Sequence, residues 1–115
     1  MRSGFRRLGA YENAARLGDD LYRVVATWDR FDRWTMGAQL LKAVDSIGAN
    51  IAEGSGRTGE ADRRRFYRIA RGSLFETEHW LARAEARGLL ADYTHRLDDI
   101  ARPLTGLINK PGRMS

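Results

Sequence analysis

Apolar residues recur along most of the chain at steps of three and four, the spacing that places side chains on one face of an α-helix. The clearest run is Met36, Leu40, Val44, Ile47 and Ile51. The same spacing recurs in three other stretches, and no stretch shows the strict alternation typical of a strand. The pattern therefore predicts an all-α fold with four helices, over roughly 8–29, 34–54, 59–87 and 92–109.

Glycine and proline mark where these helices end or change direction. Gly54-Ser55-Gly56 predicts a helix stop, because glycine accepts the left-handed backbone of many helix ends. Thr58 is a candidate cap for the third helix, Gly88 ends that helix, and Pro103 is expected to bend or break the fourth. The connections are short, so residues 1–115 are predicted to form one antiparallel, up-down four-helix bundle.

The third predicted helix has a buried stripe on one side and arginines on the other. The predicted stripe is Phe66, Ile69, Ala70, Ser73, Leu74, Thr77, Trp80, Leu81 and Ala84. On a helical wheel Arg64, Arg68 and Arg71 share the opposite face. These arginines are therefore expected to point away from the core.

Composition narrows the class of protein. The chain has 115 residues, no cysteine and no apolar stretch that approaches the roughly 18 residues of a membrane span. A soluble cytoplasmic protein with no membrane partner is expected. Its 20 basic residues exceed its 15 acidic ones, giving a formal net charge of +5. Such an excess fits a polyanionic partner and equally fits an ordinary solvated surface.

The basic residues are concentrated where the third helix begins. Six arginines lie within 57–71, and Phe75 continues the face of the last three: Arg57, Arg63, Arg64, Arg65, Arg68 and Arg71. Guanidinium groups with a planar aromatic ring among them suit phosphate contact and base stacking. A solvated face or ion pairs between subunits would give the same pattern, and the sequence favours neither interpretation.

A polar stripe runs beside the apolar face of the second helix. Gln39, Ser46, Asn50 and Glu53 belong to it, and Ser73 of the third helix is a candidate partner. Buried polar groups need hydrogen-bond partners, so the stripe is interpreted as a helix or subunit contact network. If Glu53 is buried, Arg57 or Arg71 would pair with it. A lone glutamate makes a poor active site, so no catalytic residue is predicted.

Two spacings are similar to those of di-metal helical bundles. Glu76 and His79 are three residues apart, and so are Asp92 and His95. However, His79 lies on the face away from the predicted core, and the two pairs differ in level along the bundle by about 10 Å or more. The histidines are therefore expected on the surface, with no bound metal and no cofactor.

Two segments, QLLKAVDSIGANIAEGSGR at 39–57 and FYRIARGSLFE at 66–76, resemble the small four-helix-bundle family associated with intervening sequences in bacterial 23S ribosomal RNA. The resemblance spans about residues 5–109. Family members usually have proline at the position of Gly48 and often arginine at that of Lys42. Neither departure is expected to change the fold.

The resemblance implies an antiparallel four-helix bundle that assembles into a ring, typically a homopentamer. Related proteins are accessory proteins of diversity-generating retroelements, which form basic pentameric barrels that bind nucleic acid and a reverse transcriptase. The protein is thus expected to be a non-enzymatic, ring-forming nucleic-acid-binding accessory protein, within a ribonucleoprotein or reverse-transcriptase complex. The alternatives are a purely structural assembly protein and, less favoured, a di-metal bundle enzyme.

Large aromatic residues also bear on assembly. Trp28, Phe31, Trp34 and Trp80 are many such side chains for a small bundle. Because aromatics are enriched at interfaces, some are expected at contacts between copies of the chain.

Overall fold

The computed structural model describes residues 4–112, apart from the side chains of Arg6 and Arg7. Within this range the protein is all-α, with four principal helices and no strand, as expected for a helical bundle. The helices are α1 (Gly9–Val25), α2 (Ala38–Ser55), α3 (Glu60–Ala86) and α4 (His95–Asn109), and a 3₁₀ turn at Gly4–Arg7 precedes α1. The predicted domain limits, 1 and 115, lie outside the described residues.

The four helices surround one apolar core. Helix α1 packs against α2 and α4, and α3 packs against the same two helices, so that each helix has two main neighbours. The largest fully buried aliphatic side chains come from all four helices: Leu17, Leu21, Leu40, Val44, Ile47, Ile51, Leu81, Ile100 and Leu104. Burial of this shared stripe is the main force that stabilises the fold.

The connection from α1 to α2 is more structured than predicted. A single α-helical turn, Arg30–Asp32, begins at Asp29, whose Oδ1 accepts a hydrogen bond from the Asp32 backbone N at 2.9 Å. A π-helical segment, Arg33–Gly37, then leads into α2. Gly37 lies against α1, where an added Cβ would be 2.6 Å from Val25 Cγ1.

The predicted helix stop at 54–56 is wrong in its mechanism. The backbone at Gly56 is right-handed, with φ −85°. Gly54 lies inside α2, where an added Cβ would be 2.9 Å from Phe66 Cβ and 2.9 Å from Tyr67 Cε1. The sequence needs glycine here because α3 approaches closely. Thr58 is not the cap, since α3 begins after Gly59 without a side-chain cap.

Gly88 ends α3 as predicted. Its φ is +73°, a left-handed conformation that glycine adopts without strain. The Leu89 N donates to the Ala84 carbonyl at 2.9 Å, and the Gly88 N donates to the Glu85 carbonyl at 3.0 Å. This pair of bonds is the Schellman ending of a helix.

The buried face of α3 is rotated relative to the prediction. The residues that are buried are Tyr67, Ala70, Leu74, Thr77, Leu81 and Ala84. Ile69, predicted in the core, is 41% exposed, and Phe66 is only half-buried. Tyr67 takes the core position because Gly54 leaves room for its ring.

Helix α4 continues through Pro103, where a bend or break was predicted. Proline has no N–H, so the Asp99 carbonyl four residues earlier lacks its usual helical donor. Asn13 of α1 supplies one: its Nδ2 donates to the Asp99 carbonyl at 3.0 Å. A side chain of the neighbouring helix α1 thus replaces the hydrogen bond that proline removes from α4.

Replacing Asn13 by alanine is expected to cost about 1 kcal/mol, because the Asp99 carbonyl loses its donor. The loss would be measured by urea denaturation. In a Pro103→Ala background the new Ala N–H restores the helical bond, so the cost of Asn13→Ala should shrink there. An equal cost in both backgrounds would contradict this account.

Candidate nucleic-acid interface

Arg63 and Arg64 bind backbone carbonyl groups and tie the start of α3 to the end of α4. Arg63 Nε donates to the Pro111 carbonyl at 2.8 Å, and its Nη1 donates to the carbonyls of Arg57 and Thr58 at 2.9 and 2.8 Å. Arg64 Nε donates to the Ile108 carbonyl at 2.9 Å. Cations bind favourably at the C-terminal end of a helix such as α4. Both side chains therefore have a structural role.

Arg57 and Arg65 both pack on the ring of Phe66. Their guanidinium carbons lie 4.6 and 4.4 Å from its centroid, within the range of cation–π attraction. Asp62 joins them, with ion-pair distances of 3.7 Å to Arg57 Nε and 3.1 Å to Arg65 Nη2. This cluster explains why the half-buried Phe66 lies at the edge of the core.

Arg68, Arg71 and Phe75 are the remaining members of the predicted set. Phe75 is 61% exposed, Arg68 is exposed and Arg71 is half-buried. Within residues 4–112, neither arginine has a carboxylate within ion-pair distance. The spacing i, i+3 and i+7 keeps all three on one face of α3. They form the part of the arginine face that remains available to a phosphate or a base.

The polar stripe of α2 meets α3 at a pair of serines. The Ser46 and Ser73 hydroxyl oxygens are 2.9 Å apart. Asn50 Nδ2 donates to the Ser46 carbonyl at 2.8 Å and to its hydroxyl at 3.1 Å. On α3, the Thr77 hydroxyl donates to the Ser73 carbonyl at 2.8 Å. The contact between the two serines joins α2 to α3, and the bonds from the half-buried Asn50 and the buried Thr77 lie within their own helices.

Glu53 and Gln39 lie outside this network. Both are exposed, and the Glu53 carboxylate lies 3.6 Å from Arg57 Nη2 rather than near Arg71. The condition that Glu53 is buried is therefore not met within one protomer. An exposed pair of this kind contributes about 0–1 kcal/mol, so Glu53→Ala should change the stability of the protomer little.

Sequence reasoning missed a groove between α1 and the start of α2. It has a volume of about 470 Å³ and is lined by Tyr22, Val25, Ala26, Arg33, Trp34, Ala38 and Leu41. Tyr22 is 67% exposed and Trp34 is 74% exposed. Phe31, close to Trp34 in the sequence, is 74% exposed. The only sequence signal for this groove was the number of aromatic residues.

Comparison with known proteins identifies the family. The profile of the 23S rRNA-intervening sequence protein family matches residues 6–110. The chain belongs to this family. No curated protein matches the sequence. The family is an rRNA intervening-sequence family and is not a known enzyme family.

The histidine motifs of this 23S rRNA-intervening sequence family member lie at the surface. Glu76, His79, Asp92 and His95 are all exposed. The Asp92 carboxylate accepts hydrogen bonds from the backbone N and the hydroxyl of Thr94, two residues later. These bonds lower the pKa of Asp92. No cluster of three or more potential metal ligands occurs in the part of the chain that the structure describes.

Between residues 4 and 112, none of the helices combines the length and the apolar character needed to cross a bilayer.

Tyr67 is the one buried side chain of the described residues whose polar atom has no hydrogen-bond partner. Its side chain is fully buried, and its hydroxyl has neither a side-chain nor a backbone partner. Burial raises the pKa of Tyr67, and the nearby Arg63 guanidinium opposes this rise. The phenol therefore remains protonated to higher pH in the folded protein than in the unfolded chain.

Replacing Tyr67 by phenylalanine is expected to stabilise the fold by about 1 kcal/mol at pH 7, because the unpartnered hydroxyl is removed. The raised pKa adds a pH dependence. Ionisation is easier in the unfolded chain, so the stability of the wild type falls as the pH rises past about 10. The phenylalanine variant should lack this contribution. Urea midpoints at pH 7 and above pH 10 would test both points, and a less stable variant at pH 7 would contradict them.

Proposed function

We propose that this protein is a non-enzymatic, ring-forming accessory protein that binds RNA or DNA through α3, as part of a ribonucleoprotein or reverse-transcriptase complex. The observation that carries the proposal is the exposed ring of Phe75 beside Arg68 and Arg71, which have no carboxylate partner within residues 4–112. Guanidinium groups hold phosphates, and an exposed aromatic ring stacks on a base whatever its sequence.

In this proposal the other arginines of the predicted set support the interface and are not its main phosphate contacts. Arg57 and Arg65 keep part of their side chains exposed, 41% and 59%. They can therefore add positive potential while they hold Phe66. Arg63 and Arg64 fix the start of α3. The proposal thus assigns direct phosphate contact chiefly to Arg68 and Arg71.

The proposed architecture is an antiparallel up-down bundle, repeated around a ring. Contacts between neighbouring helices support the antiparallel arrangement. Between α2 and α3, Ser46 pairs with Ser73, whereas the later Gly54 meets the earlier Tyr67. Residue numbers rise along one helix as they fall along the other. The family resemblance supports the ring, and five copies would carry a formal charge of +25, five times the +5 of one chain.

The test of nucleic-acid binding is fluorescence anisotropy with a labelled single-stranded RNA or DNA across a salt series. Binding through phosphates releases counterions. If about five phosphates on a single strand are neutralised, log K should fall with log salt at a slope of roughly −3.5. No binding at low salt would exclude the proposed function.

The structural-assembly alternative rests on the aromatic groove of α1 and α2, because exposed Tyr22 and Trp34 suit a contact between copies. Light scattering at micromolar concentration is expected to give a mass several times 13.0 kDa. Trp34→Glu should lower that mass by placing a charge in the groove, whereas the control Thr105→Glu, at an exposed position of α4, should not. A monomeric wild-type protein would exclude both the ring and this alternative.

A further inference from the structure

Gly72 occupies an unexpected place in the middle of α3. The helix is 27 residues long, and glycine in a helix interior is less stable than alanine. Gly72 is exposed, and an added Cβ would meet nothing within 4 Å. Its φ is not positive, since Gly88 alone has a positive φ in the described part of the chain. Nothing in the described part of the protomer therefore requires glycine at this position.

The two large apolar side chains nearest to Gly72 on the outer surface are also exposed. Ile69 lies three residues before it and Phe75 three residues after it, and they are 41% and 61% exposed. On a helical wheel they flank Gly72 on its two sides, about 60° away each. On the outer face of α3, Gly72 thus lies between two bulky apolar side chains.

Two charged side chains are also placed at equal distances on either side of Gly72. Arg68 lies four residues before Gly72 and Glu76 lies four residues after it, and both are exposed. Among the residues that the structure describes, neither of the two takes part in an ion pair. A cation and an anion are therefore placed at equal distances on opposite sides of the glycine.

We propose that α3 pairs with α3 of a second copy of this chain, antiparallel, across a two-fold axis at Gly72. In such a pair the residue n positions after Gly72 lies at the level of the residue n positions before it on the other copy. Ile69 then packs on the partner's Phe75, and Arg68 pairs with the partner's Glu76. The missing side chain at Gly72 lets the two backbones approach closely.

The proposed occupant is a second copy because this face supplies both halves of the apolar pair and both halves of the charged pair. A two-fold interface must be self-complementary: residue i contacts residue j, and j contacts i. The arrangement Arg68, Ile69, Gly72, Phe75 and Glu76 satisfies this requirement for the apolar pair and for the charged pair. The contact differs from the head-to-tail contacts that close a ring, so it does not depend on the proposed ring.

A cysteine at the axis provides a direct test. The natural sequence has no cysteine, so Gly72→Cys introduces a single thiol. Across a two-fold axis the two Cβ atoms come close to the 3.5–4.5 Å that a disulfide needs. Mild oxidation of the protein should give a covalent dimer. The control Ala82→Cys, also exposed on α3 but about 15 Å along the helix, should remain monomeric on a non-reducing gel. Equal crosslinking of both variants, or none of Gly72→Cys, would overturn the proposal.

Exchange of the two charges tests the register of the pair. In the Gly72→Cys background, Arg68→Glu or Glu76→Arg alone places like charges opposite each other twice, and should slow crosslinking about tenfold. The double exchange Arg68→Glu/Glu76→Arg restores both pairs and should restore the rate. Circular dichroism would check that each variant retains its helices. Failure of the double exchange to recover would overturn the assignment.

Pairing through α3 covers Arg68 and Phe75, which the proposed nucleic-acid interface also uses. The oxidised Gly72→Cys dimer should therefore bind labelled single-stranded RNA about tenfold more weakly than the same protein after reduction. A crosslinked dimer that binds as well as the reduced form would support the pairing and overturn the role of Phe75 in nucleic-acid binding. The two proposals can thus fail separately.

Discussion

Gly54→Ala is expected to destabilise the fold by about 2 kcal/mol, which corresponds to a fall in Tm of roughly 8 °C. The added Cβ would lie 2.9 Å from Phe66 Cβ and 2.9 Å from Tyr67 Cε1, so one helix must move. The position of Phe66 is constrained, because Arg57 and Arg65 both pack on its ring. The gain in helix propensity from alanine offsets only part of this cost. Gly54→Val should be more damaging.

Gly56 provides a matched control two residues away. An added Cβ there would be 3.6 Å from the Glu53 carbonyl oxygen, which is an ordinary contact, and its φ of −85° suits alanine. Gly56→Ala should leave the Tm within a few degrees of the wild type. Thermal denaturation followed by circular dichroism measures both variants. Equal effects at the two positions would show that close helix approach is not the role of Gly54.

Replacement of both Arg68 and Arg71 by glutamate is expected to weaken binding to single-stranded nucleic acid by about a hundredfold at low salt. The two residues are the arginines of the α3 face that lack a carboxylate partner within residues 4–112. Loss of two phosphate contacts should also reduce the salt slope by roughly 1.4, at about 0.7 for each contact on a single strand. Fluorescence anisotropy across a salt series measures both changes.

The choice of residues and controls follows from the structure. Arg64 is left unchanged because its Nε donates to the Ile108 carbonyl, so its loss would disturb the bundle. The variant Arg30→Glu/Arg102→Glu makes the same change in net charge at exposed positions outside α3. If that control weakens binding equally, overall charge rather than the α3 face decides binding. Glu76→Arg should break pairing through α3 yet keep nucleic-acid binding, which separates the two effects.

Periodicity in the sequence was sufficient to predict the helices. All four were predicted, because each buries a stripe at helical spacing and that spacing depends only on local chain geometry. The end of α3 at Gly88 was also predictable, since the need for a left-handed residue is local. The start of α2 was not, because it follows a π-helical segment whose last residue, Gly37, lies close to Val25 on another helix.

The errors arose where a residue acts through a distant partner. The motif at 54–56 looked like a helix stop, yet Gly54 provides room for Tyr67 of α3. Ile69 looked like core, but the fit of Tyr67 against Gly54 rotates the buried face away from it. Pro103 was expected to bend or break the fourth helix; it does not break α4, and Asn13 of α1 supplies the missing donor.

The candidate nucleic-acid interface could also be predicted only in part. The sequence by itself determined the cluster of arginines, the net charge and the polar stripe of α2, because each is a matter of residue type and helical spacing. Only the tertiary structure decided that Arg63 and Arg64 bind carbonyls at the end of α4 while Arg68 and Arg71 remain at the surface. Whether an arginine side chain is bound within the protein or stays free to bind a ligand depends on the acceptors within its reach. Those acceptors come from chain segments that only folding brings near.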